Sequence, residues 1–282
     1  MTRIAVIGIV GNSVFLSVEH FHRGGETVLA HSIHTEWGGK GYNQAIAAAR
    51  HGARVSFLAA VGERDAQAIR KDAAARGIEA YLVASAERES PYAVIMTDAE
   101  GANRVTVYHG AELTVSDLEN FRGEIESADL LLLSNEVPEE VNEAAVQIAL
   151  EHGVRVILNP APARPLSEYL LRNVSLFTPN EHETIGLEKL SQVIVTLGGR
   201  GCLLCESGRI IPAANAGGVM DTTGAGDTFN GVLAVALAEG KSLAHACELA
   251  NAAAAIKVTA RFVADAIPTR DQTNSLWENC YG

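Results

Sequence analysis

The sequence predicts an α/β protein with a doubly wound, mostly parallel β-sheet that is flanked by helices and carries a small β-sheet lid. Strand-like and helix-like patterns alternate along most of the chain. The alternating strands are almost continuously apolar, which is typical of a sheet buried on both faces. A few more polar strands have no helix between them, so we expect them to form the separate small sheet.

The first half of the chain begins with an apolar strand at 3–8, followed by polar strands at 14–18 and 28–34. A helix at 40–50 stops before Gly52, a C-cap glycine, and a helix at 65–76 ends at Gly77. Apolar strands are predicted at 54–61 and 78–83. Residues 92–97 and 104–108 flank a turn sequence and indicate a hairpin.

The second half continues the alternation, with strands at 129–134, 155–158, 175–178, 193–197 and 202–205. Helices are predicted at 138–152, 225–239 and 243–259, and the apolar stripe of 250–258 is typical of core packing. No repeat, low-complexity tract or linker interrupts the chain. We therefore expect residues 1–282 to form one domain, with lid strands inserted at about 13–36 and 91–109.

Composition excludes several classes of protein. The 282 residues include 22 Lys+Arg and 34 Asp+Glu, and the charge of −12 argues against nucleic-acid and acidic-membrane partners. A hydrophobic fraction of 48% argues against disorder. No stretch approaches the ~18 apolar residues of a membrane span, and the apolar run at 4–10 lacks a cleavage site. We expect a cytoplasmic protein.

The four cysteines are too few for a disulfide framework in a chain of this length. Cys202 and Cys205 have the spacing of a redox or zinc motif, but no second pair accompanies them. They lie in an apolar run, and we expect structural thiols. Four histidines also crowd the predicted lid strands, and we expect a solvated face there rather than a metal site; these are His20, His22, His31 and His34.

Three glycine-rich segments, at 37–41, 196–201 and 221–227, are each predicted to begin a helix. None matches the P-loop template, and none has the G-x-G-x-x-G spacing after a first strand. Gly224 and Gly226 allow backbone N–H groups to converge at a helix N-terminus, which is an anion site. An NAD-dependent oxidoreductase is therefore disfavoured, and an anion-binding helix start is favoured.

Asp227 is unexpected in the first turn of that helix, because its carboxylate would repel a bound phosphate. It belongs there if it orients and deprotonates an alcohol beside the anion site, as phosphoryl transfer requires. Alternatively, it only interacts with the helix dipole, as acidic first-turn residues often do. The spacing alone leaves both interpretations open.

The segment Asp221-Thr-Thr-Gly-Ala-Gly-Asp-Thr-Phe-Asn-Gly231 resembles the C-terminal signature of the ribokinase-like (PfkB-type) carbohydrate kinases. Residues 37–44 resemble the N-terminal signature of that family. Residues 159–164, 178–181 and 250–256 are similar to the ribokinase branch in particular. The matches are collinear from about residue 4 to about residue 268, so the resemblance covers nearly the whole chain.

The resemblance implies an enzyme that transfers the γ-phosphoryl group of ATP, with Mg²⁺, to a primary hydroxyl of ribose or a related sugar. Asp227 would be the catalytic base, and the anion hole would consist of Gly224, Ala225 and Gly226. The sugar-contacting positions would be Gly38, Gly39, Lys40, Asn43 and Glu136. The nucleotide-binding positions would be Asn180, Thr196, Gly198, Gly199, Gly201 and Asn251.

The resemblance further implies that Asn180 and Glu183 organise Mg²⁺ and phosphates, with Glu183 acting through water. The two residues are one helical turn apart and would share a face, although an N-cap with a first-turn acid has the same spacing. Asp221 and Thr223 match a monovalent-cation site, normally K⁺. The lids of such proteins often pair, which implies a homodimer formed through the lid.

Three departures from the family pattern modify these expectations. The ribokinase branch has an Asn and an Asp after the first strand, where this chain has Gly11 and Ser13, and Glu112 replaces a usual Asn. A lost carboxylate removes hydrogen bonds of about 1.5–3 kcal/mol each. We therefore expect weak use of ribose, with a KM above about 1 mM, or a related sugar held by Asn12 or Ser13.

The other two departures concern the nucleotide side. Only residues 181–195 separate Asn180 from Thr196, where relatives carry about twenty more residues including a helix, so we expect uncovered sheet near the nucleotide. The cation loop at 261–266 has Phe262 at a glycine-like position, which argues against K⁺ activation. Two alternatives stay open: a nucleoside kinase of the same fold, which needs a base-stacking pocket, and a non-catalytic sugar- or nucleotide-binding regulator.

Overall fold

The computed structural model describes all residues from 1 to 282. The strands are β1 (Arg3–Ile7), β2 (Gly11–Val18), β3 (Ala30–Gly38), β4 (Arg54–Gly62), β5 (Ile78–Ser85), β6 (Tyr92–Thr97), β7 (Asn103–Tyr108), β8 (Leu130–Ser134), β9 (Arg155–Asn159), β10 (Leu176–Phe177), β11 (Ile194–Thr196), β12 (Cys202–Leu204) and β13 (Arg209–Ile211). The helices are α1 (Lys40–Arg50), α2 (Glu63–Ala75), α3 (Arg122–Glu126), α4 (Glu139–Glu151), α5 (Glu168–Asn173), α6 (Ala225–Ala238), α7 (Leu243–Lys257) and α8 (Arg270–Tyr281).

Six parallel strands form the central sheet in the order β10-β9-β8-β1-β4-β5. Side chains of the central strands are buried on both faces, as their apolar sequences predict. The chain order reverses between β8 and β1. In open α/β sheets, ligands bind beyond the carboxyl ends of the strands at such a point, so the fold itself places a crevice beside Gly8 and Ser134.

Helices cover both faces of the central sheet. A cluster of 41 buried residues packs α1, α2, α6 and α7 against one face, and a cluster of 26 packs α3, α4 and α5 against the other. Gly231 lets α6 approach α1 closely, because a Cβ there would lie 2.5 Å from the Cβ of Ala47. The predicted doubly wound α/β fold is confirmed. No helix is long and apolar enough to cross a membrane.

The polar strands form a four-stranded sheet in the order β3-β2-β6-β7. β2 pairs with β6 in parallel, and the two outer pairs are antiparallel. This lid sheet leaves the strand ends through Gly38 and covers the crevice. Every residue of β7 is exposed, so the lid is open to solvent on both faces at this edge strand.

The structure corrects two expectations about the nucleotide side. As expected, no helix lies between β10 and β11, but the sheet is not uncovered there: Leu187 packs over Phe177 and Val193, and all three are buried. The glycine-rich segment at 196–201 begins no α-helix. It forms a single 3₁₀ turn (Gly198–Arg200) and enters β12, since Gly201 adopts a φ of 94°.

The strand β13 and the helices α3, α5 and α8 were not predicted from the sequence, whereas β11 and β12 were. β11, β12 and β13 form an antiparallel sheet, which two isolated bridges join to the end of β10. The short helix α5 follows a serine N-cap, and α8 follows a capping box formed by Thr269 and Gln272. The polar composition of α8 had hidden its helical period, although the capping signal was present in the sequence.

Candidate active site

The start of α1 lies directly against the end of β1, because both positions are glycine. A Cβ on Gly8 or on Gly41 would lie 2.7 Å from the Cα atom of the other residue. Gly39, with a φ of 127°, is the N-cap of α1 and contacts the carbonyl of Ile9. The predicted sugar loop therefore reaches the crevice only with glycine at these positions.

Glu136, after β8, holds this loop in place. Its carboxylate accepts hydrogen bonds from the amides of Lys40 and Gly41, both at 2.9 Å, and from the Ser134 hydroxyl at 3.1 Å. Burial raises the pKa of Glu136, while the two amides and the charge of Lys40 oppose that shift. Glu136 thus caps the N-terminus of α1 and lies at the predicted sugar site, where its remaining lone pairs can accept hydroxyl groups.

Lys40 lies within electrostatic range of three acidic residues of the site. Burial disfavours its ammonium form, but the charges of Asp227, Glu136 and Glu183 outweigh burial and raise its pKa. These four residues come from α1, α6, the end of β8 and the turn after β10. The fold therefore brings them within electrostatic reach of one another, and a cation sits among three carboxylates at the crevice.

Asp227 is buried in the first turn of α6, and two side chains of α1 hold its carboxylate. Nδ2 of Asn43 donates to Oδ2 at 2.9 Å, and Nε2 of Gln44 lies 3.5 Å from Oδ1. The carboxylate makes no hydrogen bond to an amide of its own helix, so it can favour that helix only through its charge beside the helix dipole. An oriented carboxylate with one weakly engaged oxygen is suited to accept a hydroxyl proton.

The N-terminus of α6 forms the anion site beside Asp227. Gly224 is the N-cap with a φ of 74°, and Val263 packs against it. The amides of Gly224, Gly226 and Asp227 donate to no protein acceptor, whereas the amide of Ala225 donates to the Thr222 carbonyl at 3.2 Å. Of the three predicted anion-hole amides, two are therefore free, and Asp227 contributes a third.

A chain of buried amides connects the strand ends to this helix start. Gln44 contacts Oδ1 of Asn159 at 3.4 Å, and Asn159 donates to the Thr178 carbonyl at 2.8 Å. Thr178 donates to Oδ1 of Asn230, whose Nδ2 donates to the Gly226 carbonyl at 2.9 Å. Sequence reasoning missed these positioning residues; the available signal was polar side chains at otherwise apolar positions.

Asn180 and Glu183 lie on a turn after β10 and not on a helix. Oε2 of Glu183 accepts from the Asn180 amide at 2.9 Å, and Oδ1 of Asn180 accepts from the His182 amide at 2.8 Å. This reciprocal pattern is that of a capping box. It leaves Oε1 of Glu183 without a protein partner, and carboxylate oxygen is a preferred ligand of Mg²⁺ and of its bound water.

The other predicted nucleotide positions lie around β11, β12 and β13. Thr196 is half-buried and contacts the Pro179 carbonyl, while Gly198 and Gly199 are exposed in the 3₁₀ turn. Nδ2 of Asn251 donates to the carbonyls of Ile211 and Pro212, at 3.2 and 3.1 Å. Its amide nitrogen therefore ties α7 to the end of β13 and is turned away from solvent.

The positions that depart from the family pattern are already engaged within the protein. Ser13 is buried against Gly38, and the backbone N–H of Asn12 donates to the Pro91 carbonyl at 3.0 Å. Glu112 forms an ion pair with Arg88 at 3.0 Å.

The crevice lies at the carboxyl ends of parallel strands, and it has free helix N-terminal amides next to a buried carboxylate. This arrangement is typical of a phosphotransferase that acts on a hydroxyl group. Residues 1–270 match the pfkB family carbohydrate kinases. The chain belongs to that family and is a carbohydrate kinase.

Individual relatives agree with this assignment. The chain is 37% identical to the ribokinase of Bacillus subtilis, with 98% of this chain and 99% of that protein covered. The ribokinase of Giardia lamblia superposes with a TM-score of 0.89 at 25% identity, and 99% of each chain is covered. Arabidopsis thaliana ribokinase, in a complex with ribose and ATP, superposes with a TM-score of 0.84 at 27% identity and the same coverage of both chains.

Proposed function

We propose that this chain is an ATP-dependent ribose kinase, which phosphorylates a primary hydroxyl of ribose or a closely related sugar. The observation that carries the proposal is the pairing of Asp227, oriented by Asn43, with the free amides of Gly224, Gly226 and Asp227. The ribokinase relatives support ribose as the first substrate to test.

In the proposed reaction, Asp227 accepts the proton of the sugar hydroxyl as that oxygen forms a bond to the γ-phosphorus of ATP. The bond between this phosphorus and the β–γ bridging oxygen breaks, and ADP leaves. The free amides at the start of α6 and the ammonium of Lys40 stabilise the charge on the transferred group. Glu136 and the loop at 38–41 hold the sugar, with Oδ1 of Asn43 available as a buried acceptor.

Mg²⁺ fits the site through the unpaired Oε1 of Glu183, and when bound it neutralises charge on the β- and γ-phosphates. We infer that the nucleotide lies over the turn at 198–201 and the end of β13. The free thiols at all four cysteines support a reducing compartment, which for this protein we propose is the cytoplasm.

We further propose a homodimer formed through the lid. Ile33, Val105 and Val107 expose between 48% and 69% of their surface, and β3 and β7 are unpaired edge strands. Exposed apolar edges of this kind are usually covered by pairing with another strand. A second lid offers a surface of the same chemistry.

A substrate panel tests the proposed reaction. ADP formation is measured with ATP and Mg²⁺ against pentoses, hexoses and nucleosides, and ³¹P NMR locates the phosphate on the product. The Asp227→Asn variant, purified in the same way, is the control for contaminating kinases. Faster turnover of a nucleoside would support the nucleoside kinase alternative, and binding of ATP and sugar without turnover would support a non-catalytic regulator.

A further inference from the structure

Lys257, the last residue of α7, is a lysine whose side chain is completely buried beside the segment that leads into α6. Its Nζ donates to the carbonyl oxygen of Asp221 at 2.8 Å and lies 4.0 Å from Oδ2 of the same residue. A buried ammonium requires oxygen partners and a compensating charge. Asp221 provides the oxygen partner through its carbonyl group and the compensating charge through its carboxylate.

The carboxylates around Lys257 also accept backbone amides of the neighbouring loop. Oδ1 of Asp221 accepts from the Thr223 amide and Oδ2 from the Phe262 amide, both at 2.9 Å. Glu36, from the lid strand β3, accepts from the amides of Val263 and Ala264 at 2.9 and 3.3 Å. The loop therefore presents N–H groups, not oxygen atoms, to this part of the structure.

Four carbonyl groups in or just before the same loop accept from protein donors. The Val258 carbonyl accepts from the Asp221 amide at 3.2 Å, and the Val263 carbonyl accepts from the Ala266 amide at 3.0 Å. Arginine side chains donate to the carbonyls of Ala264 and Asp265. A monovalent cation needs several oxygen lone pairs directed at one centre, and these carbonyls do not provide them. These carbonyl groups of the loop therefore do not fit that ion.

Phe262 holds the loop in this arrangement. It is the only non-glycine residue with a positive φ, at 63°, and its ring stacks on His34 of the lid with centroids 3.7 Å apart. Phe15 adds an edge contact at 5.3 Å. Because the ring is fixed between lid residues, protein contacts position the loop.

We propose that the ammonium of Lys257 is a built-in substitute for the monovalent cation. It places a positive charge beside Asp221, holds the segment 221–224 behind the anion site, and makes the reaction independent of K⁺. The inference rests on the proposed kinase reaction for its catalytic part. The charge and the contacts it explains are properties of the folded chain alone.

Wild-type protein tests the proposal in two buffers of equal ionic strength, one containing KCl and the other choline chloride. We expect the same kcat in both, and the same melting temperature of the ADP-bound protein. A kcat or a melting temperature that rises with KCl relative to choline chloride would overturn the proposal. The melting comparison needs no turnover, so a protein that phosphorylates no sugar would refute the proposed function while the cation inference is still decided.

Two variants complete the test. Lys257→Ala removes the ammonium and opens space, and we expect kcat in choline chloride to fall at least about tenfold, since a charge near the transferred group is lost. Ammonium chloride should restore kcat and raise the melting temperature, because the ammonium ion can donate to the same Asp221 oxygen atoms, whereas KCl should do neither. Lys257→Met keeps most of the volume without the charge, and its loss should not be restored. An unchanged kcat of Lys257→Ala in choline chloride would contradict the proposal. If Lys257→Ala does not fold, an unchanged kcat of Lys257→Met in choline chloride would contradict it instead.

Discussion

Replacing Asp227 by Asn preserves the shape of the side chain but removes its ability to accept a proton from the sugar. General-base catalysis contributes about 10²–10⁴ in rate. We therefore expect kcat to fall by at least about 100-fold, which corresponds to about 2.7 kcal/mol at the transition state. The affinity for ATP should be kept or improved, because a negative charge beside the free amides of α6 has been removed.

The structure also limits the expected effect of this variant on stability. The hydrogen bond from Asn43 to Oδ2, at 2.9 Å, can be kept by the amide oxygen of the new Asn, but it loses its charge. The new NH₂ group would face Gln44, whose buried Oε1 has no partner and can accept from it after an amide rotation. The free energy of unfolding should decrease by no more than about 1 kcal/mol, which is the scale of one hydrogen bond or of one interaction with a helix dipole.

The assay measures kcat with the best sugar of the panel, the Kd of ATP by calorimetry, and the melting temperature. Asp271→Asn makes the same chemical change on the exposed first turn of α8 and serves as the matched control, with kcat unchanged. A kcat of Asp227→Asn close to that of the wild type, combined with a clear loss of stability, would refute the catalytic role and support the helix-dipole interpretation. A loss of more than about 4 °C in melting temperature would show that the stability argument is wrong.

Three further results are expected. Ser13→Asp should restore a sugar-binding carboxylate and lower the KM for ribose about tenfold or more, since each such hydrogen bond contributes about 1.5–3 kcal/mol; an unchanged KM, with Ser13→Asn as the uncharged control, would place the sugar elsewhere. The wild type should have a dimeric mass by light scattering at micromolar concentration and Val105→Lys a monomeric one, whereas a monomeric wild type would count against pairing of the lids. Burial lowers the pKa of His51 to about 4, below its unfolded value of 6.5. Neutral His51 therefore contributes its full stabilisation above pH 6.5, the pKa of the unfolded state, and this contribution is lost as the pH falls toward 4, the pKa of the folded state. The free energy of unfolding should decrease by about 2 kcal/mol between about pH 7.5 and about pH 5. Denaturant titrations of the wild type should show this loss and those of His51→Gln should not; equal losses in both proteins would contradict it.

The regular part of the fold could be predicted because its local patterns agree with its tertiary environment. Continuous apolar strands such as β8 and helices that end at glycine, such as α1, are consistent at both levels. The elements that were missed, such as α8 and β13, are polar or very short. Their stability comes from packing against the rest of the chain, and no local period announces them.

Part of the candidate site was readable for the same reason. Gly224, Gly226 and Asp227 are adjacent in sequence, so their spacing alone indicates an anion site beside a carboxylate. The family resemblance added Glu136 and Asn43 at the positions where the structure has them facing the crevice. Neither source indicated that the backbone N–H of Ala225 donates to the carbonyl of Thr222, because that hydrogen bond depends on the geometry of one turn.

The sequence by itself determined the fold class, the kinase family and the acidic and glycine residues of the site, because each depends on residue types at short, regular spacings. Only the tertiary structure decided which buried polar side chains support Asp227, and what lies beside Asp221. Lys257 lies in the apolar stripe that predicts core packing. Its role is visible only in the structure, where α7 brings its ammonium to the carbonyl of Asp221, 36 residues earlier in the chain. Contacts between distant segments depend on how the elements pack together, and a buried charge acquires its partner only from that packing.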